Sequence, residues 1–211
     1  MSRENGPDNP ILRRVYALAG VADAERVYDE WAGDYERDTV GGMGYAAPVV
    51  AAARLAELVP AGSSVLDAGC GTGLVGSELG RLGFGTIDGL DLSVEMLAEA
   101  AVKGVYRSLR KADLTGGVPA GHGPYEAVIC VGTFTYGHFG PAVLDELLRP
   151  LVPGGVLVAT VLDDAWQAMG FAGHVDALRA SGAARHVEVR HGQPYHRTED
   201  LTCALLVLEA A

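Results

Sequence analysis

The sequence predicts an α/β fold: a doubly wound, mostly parallel sheet of seven strands with an antiparallel C-terminal strand, preceded by a helical N-terminal extension. Three observations predict it. From Ser63 onward, short buried-looking strand runs alternate with amphipathic runs of helix length, the signature of βαβ units whose sheet is covered on both faces. The last two strand-like runs have no helix between them, and neighbours without a crossover pair antiparallel. Finally, 211 residues with 49% hydrophobic and 20% charged side chains suit one globular domain. The expected division is residues 1–60 as extension or lid and 61–211 as core.

Each element follows from local pattern. "DAERVYDEWAGDYERD" (Asp23–Asp38) spaces Val27, Trp31 and Tyr35 four apart, which places them on one face of a helix. "VGGMGY" interrupts that pattern, predicting a flexible joint between Val40 and Gly44, before "YAAPVVAAARLAELVP" resumes it. "SSVLDAG" reads as a buried strand, "TGLVGSELGRLG" as a helix closed by Gly83, and "TIDGLDL" as the second strand. "SVEMLAEAAVKG" is a helix with Ser93 as N-cap and Gly104 as stop. A weaker strand "YRSLRKADL", a strong one "YEAVICVG", the helix "PAVLDELLRPL" and the strand "GGVLVATVL" follow. "DDAWQAMGFAGHVDALRASG" reads as one helix, and "ARHVEVRHG" and "LTCALLVLEA" as the closing pair of strands.

Composition narrows the function. Sixteen basic against 27 acidic residues give a net charge of -11, which repels polyanions, so nucleic acid is not the expected substrate. Cys70, Cys130 and Cys203 are widely spaced with no CxxC pair or His/Cys cluster, which predicts reduced buried thiols and no metal site. The polar start "MSRENGPDNPILRR" has no signal-peptide segment, and no stretch reaches about 18 uninterrupted apolar residues, so the expected location is the cytoplasm without membrane attachment. The sequence carries no signal of an oligomeric state.

The chemistry concentrates in "VLDAGCGTGLVG" (Val65–Gly76), where a strand feeds a glycine loop and then a helix. In open α/β sheets that edge binds ligands. Gly69, Gly71 and Gly73 permit positive φ and close ligand approach, and the helix start offers free N–H groups. Gly71, Gly73 and Gly76 also satisfy GxGxxG, with Asp91 at the distance of a ribose-binding acid, so NAD remains open at this point. Asp67 argues against it: a carboxylate immediately before the loop repels a pyrophosphate but suits a cationic amine, as in S-adenosylmethionine.

Taken in order, "VLDAGCGTG", the acid of "GLDLS", "KADL", "YEAVICVG" and "LVPGGVLV" resemble the successive motifs of the class I S-adenosylmethionine-dependent methyltransferases. More narrowly, "VYDEWAGDYERD", "GYAAP" and "GHFGP" resemble the Williams-Beuren-associated methyltransferase-like group of that superfamily. The resemblance implies a Rossmann-like methyltransferase fold and S-adenosylmethionine as cofactor. It assigns Gly69, Cys70, Gly71 and Gly73 to the loop under methionine and ribose, and Asp67 to the α-amino group, directly or through water. It further assigns Asp91 to the ribose hydroxyls, Leu92 and Met96 to adenine packing, Asp113 and the Leu114 N–H to the adenine edge, and Val131 and Gly132 to the methionine end. Tyr28, Trp31 and Tyr35 would form an aromatic lid with Tyr45 beside it, or else only the buried face of a helix.

Methyl transfer from a sulfonium needs alignment and exclusion of water more than covalent chemistry. His138, in "TFTYGHFGP" after the fourth strand, is the candidate base for a hydroxyl acceptor, with a histidine that only orders its loop as the alternative. Tyr195 and His196 are second candidates, and the stretch from Trp166 to His174 is expected to help shape the acceptor pocket. "VGTF" stands where the amino-methylating nucleic-acid enzymes carry Asp/Asn-Pro-Pro-Tyr. The resulting expectation is methyl transfer to an oxygen or nitrogen of a small molecule. Its rivals are a cofactor-binding protein that does not methylate and a small NAD oxidoreductase.

Overall fold

The computed structural model describes residues 13–15, 17–18, 20–121 and 123–211, so most of the polar N-terminal segment lies outside the described residues. Seven strands form one sheet in the order β3-β2-β1-β4-β5-β7-β6. They are β1 (Ser64–Ala68), β2 (Thr86–Asp91), β3 (Ser108–Lys111), β4 (Tyr125–Phe134), β5 (Leu151–Leu162), β6 (Ala184–His196) and β7 (Leu201–Ala210). β1 pairs in parallel with both β2 and β4, whereas β7 runs antiparallel between β5 and β6. The strand order reverses between β1 and β4, and the crevice at their carboxyl ends is the place where such sheets bind ligands.

The helices are α1 (Val21–Trp31), α2 (Ala47–Leu58), α3 (Leu74–Arg81), α4 (Val94–Val102), α5 (Val143–Leu148), α6 (Asp163–Ala168) and α7 (Phe171–Ala180). α4 starts where expected: the Ser93 hydroxyl accepts from the Met96 amide at 3.0 Å. Gly104 follows it with φ 66. α2 buries Ala47, Ala51, Ala52 and Leu55 against the sheet, its small residues allowing close approach to β4 and β5. Its place in the main core sets it apart from the stretch Val21–Met43, here called the covering segment, whose Val21, Ala24, Tyr28 and Tyr35 line the cleft described below.

Three local readings are corrected. The joint expected at Val40–Gly44 is wound into a π-helical stretch from Arg37 to Met43, and only Gly44 leaves the helical region, at φ 64. A 3-10 turn, Ala32–Asp34, links this stretch to α1, so the helix read through Asp38 ends at Trp31. The single helix expected after β5 is broken into α6 and α7 at Gly170, whose φ of 78 no helix continues.

Candidate functional site

A cleft of about 920 Å3, its open mouth included, lies at the carboxyl ends of β1, β2 and β4. Gly69 and Gly71 of the loop after β1 form its floor. Gly69 takes φ 78 and sits so close to β4 that an added Cβ would lie 2.4 Å from Thr133 Cγ2; a Cβ on Gly71, at φ 54, would meet nothing within 4 Å. The first glycine thus lets the loop touch the end of β4, and the second leaves bare backbone facing open space. Gly73 lies behind the floor, where its missing Cβ makes room for Ala100 and the Tyr106 ring.

Asp91 ends β2 on the cleft wall. One carboxylate oxygen accepts from the Gly71 amide at 2.8 Å and the other from the Ser93 amide at 2.9 Å, so the acid ties the glycine loop to the start of α4. Burial raises its pKa above the usual carboxylate value against these amides. Each oxygen keeps a lone pair for a further donor. Leu92 and Met96 continue the wall, followed by Asp113 and Leu114; one Asp113 oxygen caps the turn at Leu114–Gly116 through Thr115, at 2.9 Å to its amide and 2.7 Å to its hydroxyl.

The roof is the covering segment. Val21, Ala24 and Tyr28 of α1, together with Tyr35, face the cleft. Trp31 does not: its ring packs 4.7 Å from that of Tyr35, its indole N–H donates to Asp38 at 3.0 Å, and it is buried in the small N-terminal cluster behind the roof. Asp29 fixes the roof to the start of α4 by accepting from the Ser93 hydroxyl at 2.5 Å, and Lys111 of β3 pairs with Glu25 at 2.5 Å.

His138 closes the far end beside Val131, Gly132, Thr133 and Phe139. Its Nδ1 lies 2.8 Å from the Thr135 hydroxyl and 3.1 Å from the Tyr136 carbonyl, and its Nε2 lies 2.7 Å from the Tyr28 hydroxyl; in the tautomer whose Nδ1–H faces the carbonyl, which only accepts, Nε2 accepts from Tyr28. Burial lowers its pKa, leaving the imidazole neutral at neutral pH. Tyr195, His196 and Tyr45 form a separate cluster behind Gly132: the Tyr45 hydroxyl is 2.5 Å from the position of a Gly132 Cβ, and the His196 Nδ1 lies 3.0 Å from Glu199. Neither this cluster nor the stretch Trp166–His174 lines the cleft, where both were expected to border the acceptor. Trp166 stacks on Phe171 instead.

Residues 65–155 match the family profile described as "Methyltransferase domain". The human methyltransferase-like protein 27 is 36% identical over 168 residues, covering 76% of this chain and 68% of the relative. The chain belongs to the class I S-adenosylmethionine-dependent methyltransferases. A ubiquinone biosynthesis O-methyltransferase of Psychrobacter cryohalolentis is 29% identical over 116 residues; that match covers 52% of this methyltransferase and 45% of the relative, so the chain spans under half of the latter. A TehB-like methyltransferase structure from Corynebacterium glutamicum shares the fold with a TM-score of 0.63 at 17% identity, over 87% of this chain and 98% of that one.

The cofactor of this family is S-adenosylmethionine, and the methyltransferase's own residues fit it. Asp67 is fully buried beneath the loop; its Oδ2 accepts from the Tyr106 hydroxyl at 2.7 Å and its Oδ1 has no partner, an uncompensated acceptor that suits a cation. Asp67 and Cys70 lie under the glycine floor and not on the cleft surface, so a ligand would reach Asp67 only from above or through water. Among the described residues lining the cleft there is no Lys or Arg, and the only charged side chains are Asp91 and Asp113. That environment suits a ribose and an ammonium and opposes a pyrophosphate. Tyr106 and the Tyr28–His138 pairing were not found from sequence. Tyr106 is 39 positions from its partner, and only the bare glycines opposite it hint that something large fills the gap.

Proposed function

We propose that this chain transfers a methyl group to an oxygen or nitrogen of a small, uncharged molecule, and that a hydroxyl oxygen is the favoured acceptor. The observation that carries the reading is the neutral His138, hydrogen-bonded through Nε2 to Tyr28 in the wall of the cleft that Asp91 and Gly71 also line. A neutral imidazole in that place is a base for a hydroxyl proton. The absence of Lys and Arg among the described lining residues disfavours phosphorylated or carboxylate acceptors, and the net charge of -11 disfavours nucleic acid.

In this reading Asp91 holds both ribose hydroxyls, Leu92 and Met96 pack the adenine, and Asp113 with the Leu114 amide reads its edge. Gly69, Gly71, Val131 and Gly132 border the methionine end. When bound, S-adenosylmethionine supplies an electrophilic methyl on a sulfonium. Tyr28 and Tyr35 exclude water from above, and the acceptor hydroxyl lies against Tyr28 Oη. As its oxygen takes the methyl, its proton passes to Tyr28 Oη while the Tyr28 proton moves to His138 Nε2, leaving a transient imidazolium. Alignment and a dry site do most of the work.

The test is incubation of the purified protein with S-adenosylmethionine and a panel of phenols, catechols, amines and carboxylic acids, followed by mass spectrometry for S-adenosylhomocysteine and a product one methyl heavier. Methylated phenols or catechols are the expected result. Cofactor binding with no methylated product across the panel would favour the reading of a cofactor-binding protein that does not methylate.

A further inference from the structure

Beneath the glycine loop the molecule makes room for one large side chain. Tyr106, in the turn that leads into β3, threads its ring between α3 and β2, and three glycines clear its path. A Cβ on Gly76 would lie 2.3 Å from Tyr106 Cζ and Oη, one on Gly89 would lie 3.1 Å from Cδ1, and one on Gly73 would lie 3.1 Å from Cε2. Of the three glycines in the GxGxxG spacing, Gly73 and Gly76 therefore make room for the tyrosine beneath the loop, and Gly71 faces the cleft.

The ring ends at Asp67. Its hydroxyl donates to Oδ2 at 2.7 Å, and Oδ1 is buried without a partner. The titratable groups facing Asp67 are Tyr106, Asp91 at the end of β2, Cys70 of the loop and Cys130 of β4, and none of them is a cation. We propose that Tyr106 is a positioning residue for cofactor binding: its hydroxyl engages one oxygen of Asp67 and leaves the other beneath the glycine loop to hold the cofactor's α-ammonium group, directly or through a water. The proposal rests on the assignment of Asp67 to that group and is independent of which acceptor is methylated.

Burial pushes the Asp67 carboxyl up to about 7, Asp91 adds to the push, and the Tyr106 hydroxyl and the Gly76 amide hold it down. Cofactor binding is therefore linked to the loss of a proton from Asp67 near neutrality. Without the Tyr106 hydroxyl the carboxyl rises further, and affinity at neutral pH falls because most molecules carry the protonated acid.

Calorimetric titration with S-adenosylhomocysteine, which keeps the α-ammonium group, tests this from about pH 6 to about pH 9 on the wild type, Tyr106→Phe and Asp67→Asn. Wild-type Kd should tighten by up to about tenfold per pH unit on the acid side of the Asp67 transition and then level off. Tyr106→Phe should bind about tenfold more weakly at pH 7 and recover most of the loss at about pH 9. Asp67→Asn should be weak at every pH, with the slope removed. A Tyr106→Phe profile that superimposes on wild type, or that is weaker by the same factor at every pH, overturns the proposal. If Tyr106→Phe does not fold, Asp67→Asn decides: a wild-type slope in that variant overturns the proposal, and wild-type affinity in it overturns the assignment of Asp67 itself. Turnover is not read, so a failed acceptor screen leaves the outcome intact.

Discussion

His138 is neutral because burial lowers its pKa below that of a free imidazole, and the neutral form therefore persists to lower pH than an exposed histidine allows. The acid limb of the kcat–pH profile should accordingly fall below about pH 6.5, with His138→Ala lowering kcat by about 100-fold or more while Kd for S-adenosylhomocysteine stays within about twofold. Equal loss in kcat and cofactor affinity would make His138 a structural residue. At Asp67 the sign runs the other way. Its folded-state carboxyl titrates at about 7 against about 3.9 in an unfolded chain, so the folded state binds more protons in that window and loses stability as pH rises through it. Apo Asp67→Asn should thus melt higher than wild type at about pH 8, by about 5 °C, while binding cofactor poorly. A melting temperature at or below wild type there would contradict the uncompensated charge. The acids and glycines were legible from sequence as a pattern at strand ends, but the packing of Thr133 and Tyr106 that Gly69, Gly73 and Gly76 make room for was not. Their partners were not, since Tyr106 and Tyr28 reach Asp67 and His138 from 39 and 110 positions away.

The covering segment is held by its apolar cluster packed on Leu92 and by polar contacts to α4, β3 and His138. Asp29 accepts from the Ser93 hydroxyl and, at 3.4 Å, from the Glu95 amide at the start of α4, where a helix favours negative charge. The pairs Lys111–Glu25 and Lys103–Glu36 are partly exposed and contribute under about 1 kcal/mol each. Asp29→Ala should therefore speed amide exchange across α1 by about fivefold and leave β1, β4 and β5 unchanged. Acceleration spread over the sheet would show that the segment is part of the core. At the opposite end of the strands, Asp88 binds Arg107, the Ser108 hydroxyl at 2.7 Å and the Tyr125 hydroxyl at 2.8 Å; against its burial these hold its carboxyl down to about 2. Asp88→Ala should cost about 3 kcal/mol in urea unfolding, since it strands a buried network that joins β2, β3 and β4. Strands and capped helices were legible because their patterns are local. The π-helical stretch was not, because its glycines permit many conformations and the packing of Thr39 and Met43 selects one.

At the scale of the whole molecule, the strand order places the loops after β1 and β4 side by side, and the cleft follows from that reversal. The order of βαβ units and the antiparallel end were legible in the alternation of strand and helix runs. At the far end of the cleft the N-terminal helix and the loop around His138 were legible as candidates, but not their pairing, because only the folded chain brings Tyr28 to His138 and leaves Trp166–His174 outside. Among the described residues no helix is long and apolar enough to cross a membrane. In the proposed function the cleft holds S-adenosylmethionine through Asp91, and calorimetric titration of S-adenosylhomocysteine and NADH into the wild type and Asp91→Ala tests this most directly. Micromolar binding of the first to the wild type, no heat from NADH, and about 100-fold weaker binding to Asp91→Ala are expected, from two hydrogen bonds to a charged acceptor at about 1.5 kcal/mol each. Unchanged affinity in Asp91→Ala, or binding of NADH in place of S-adenosylhomocysteine, would contradict it.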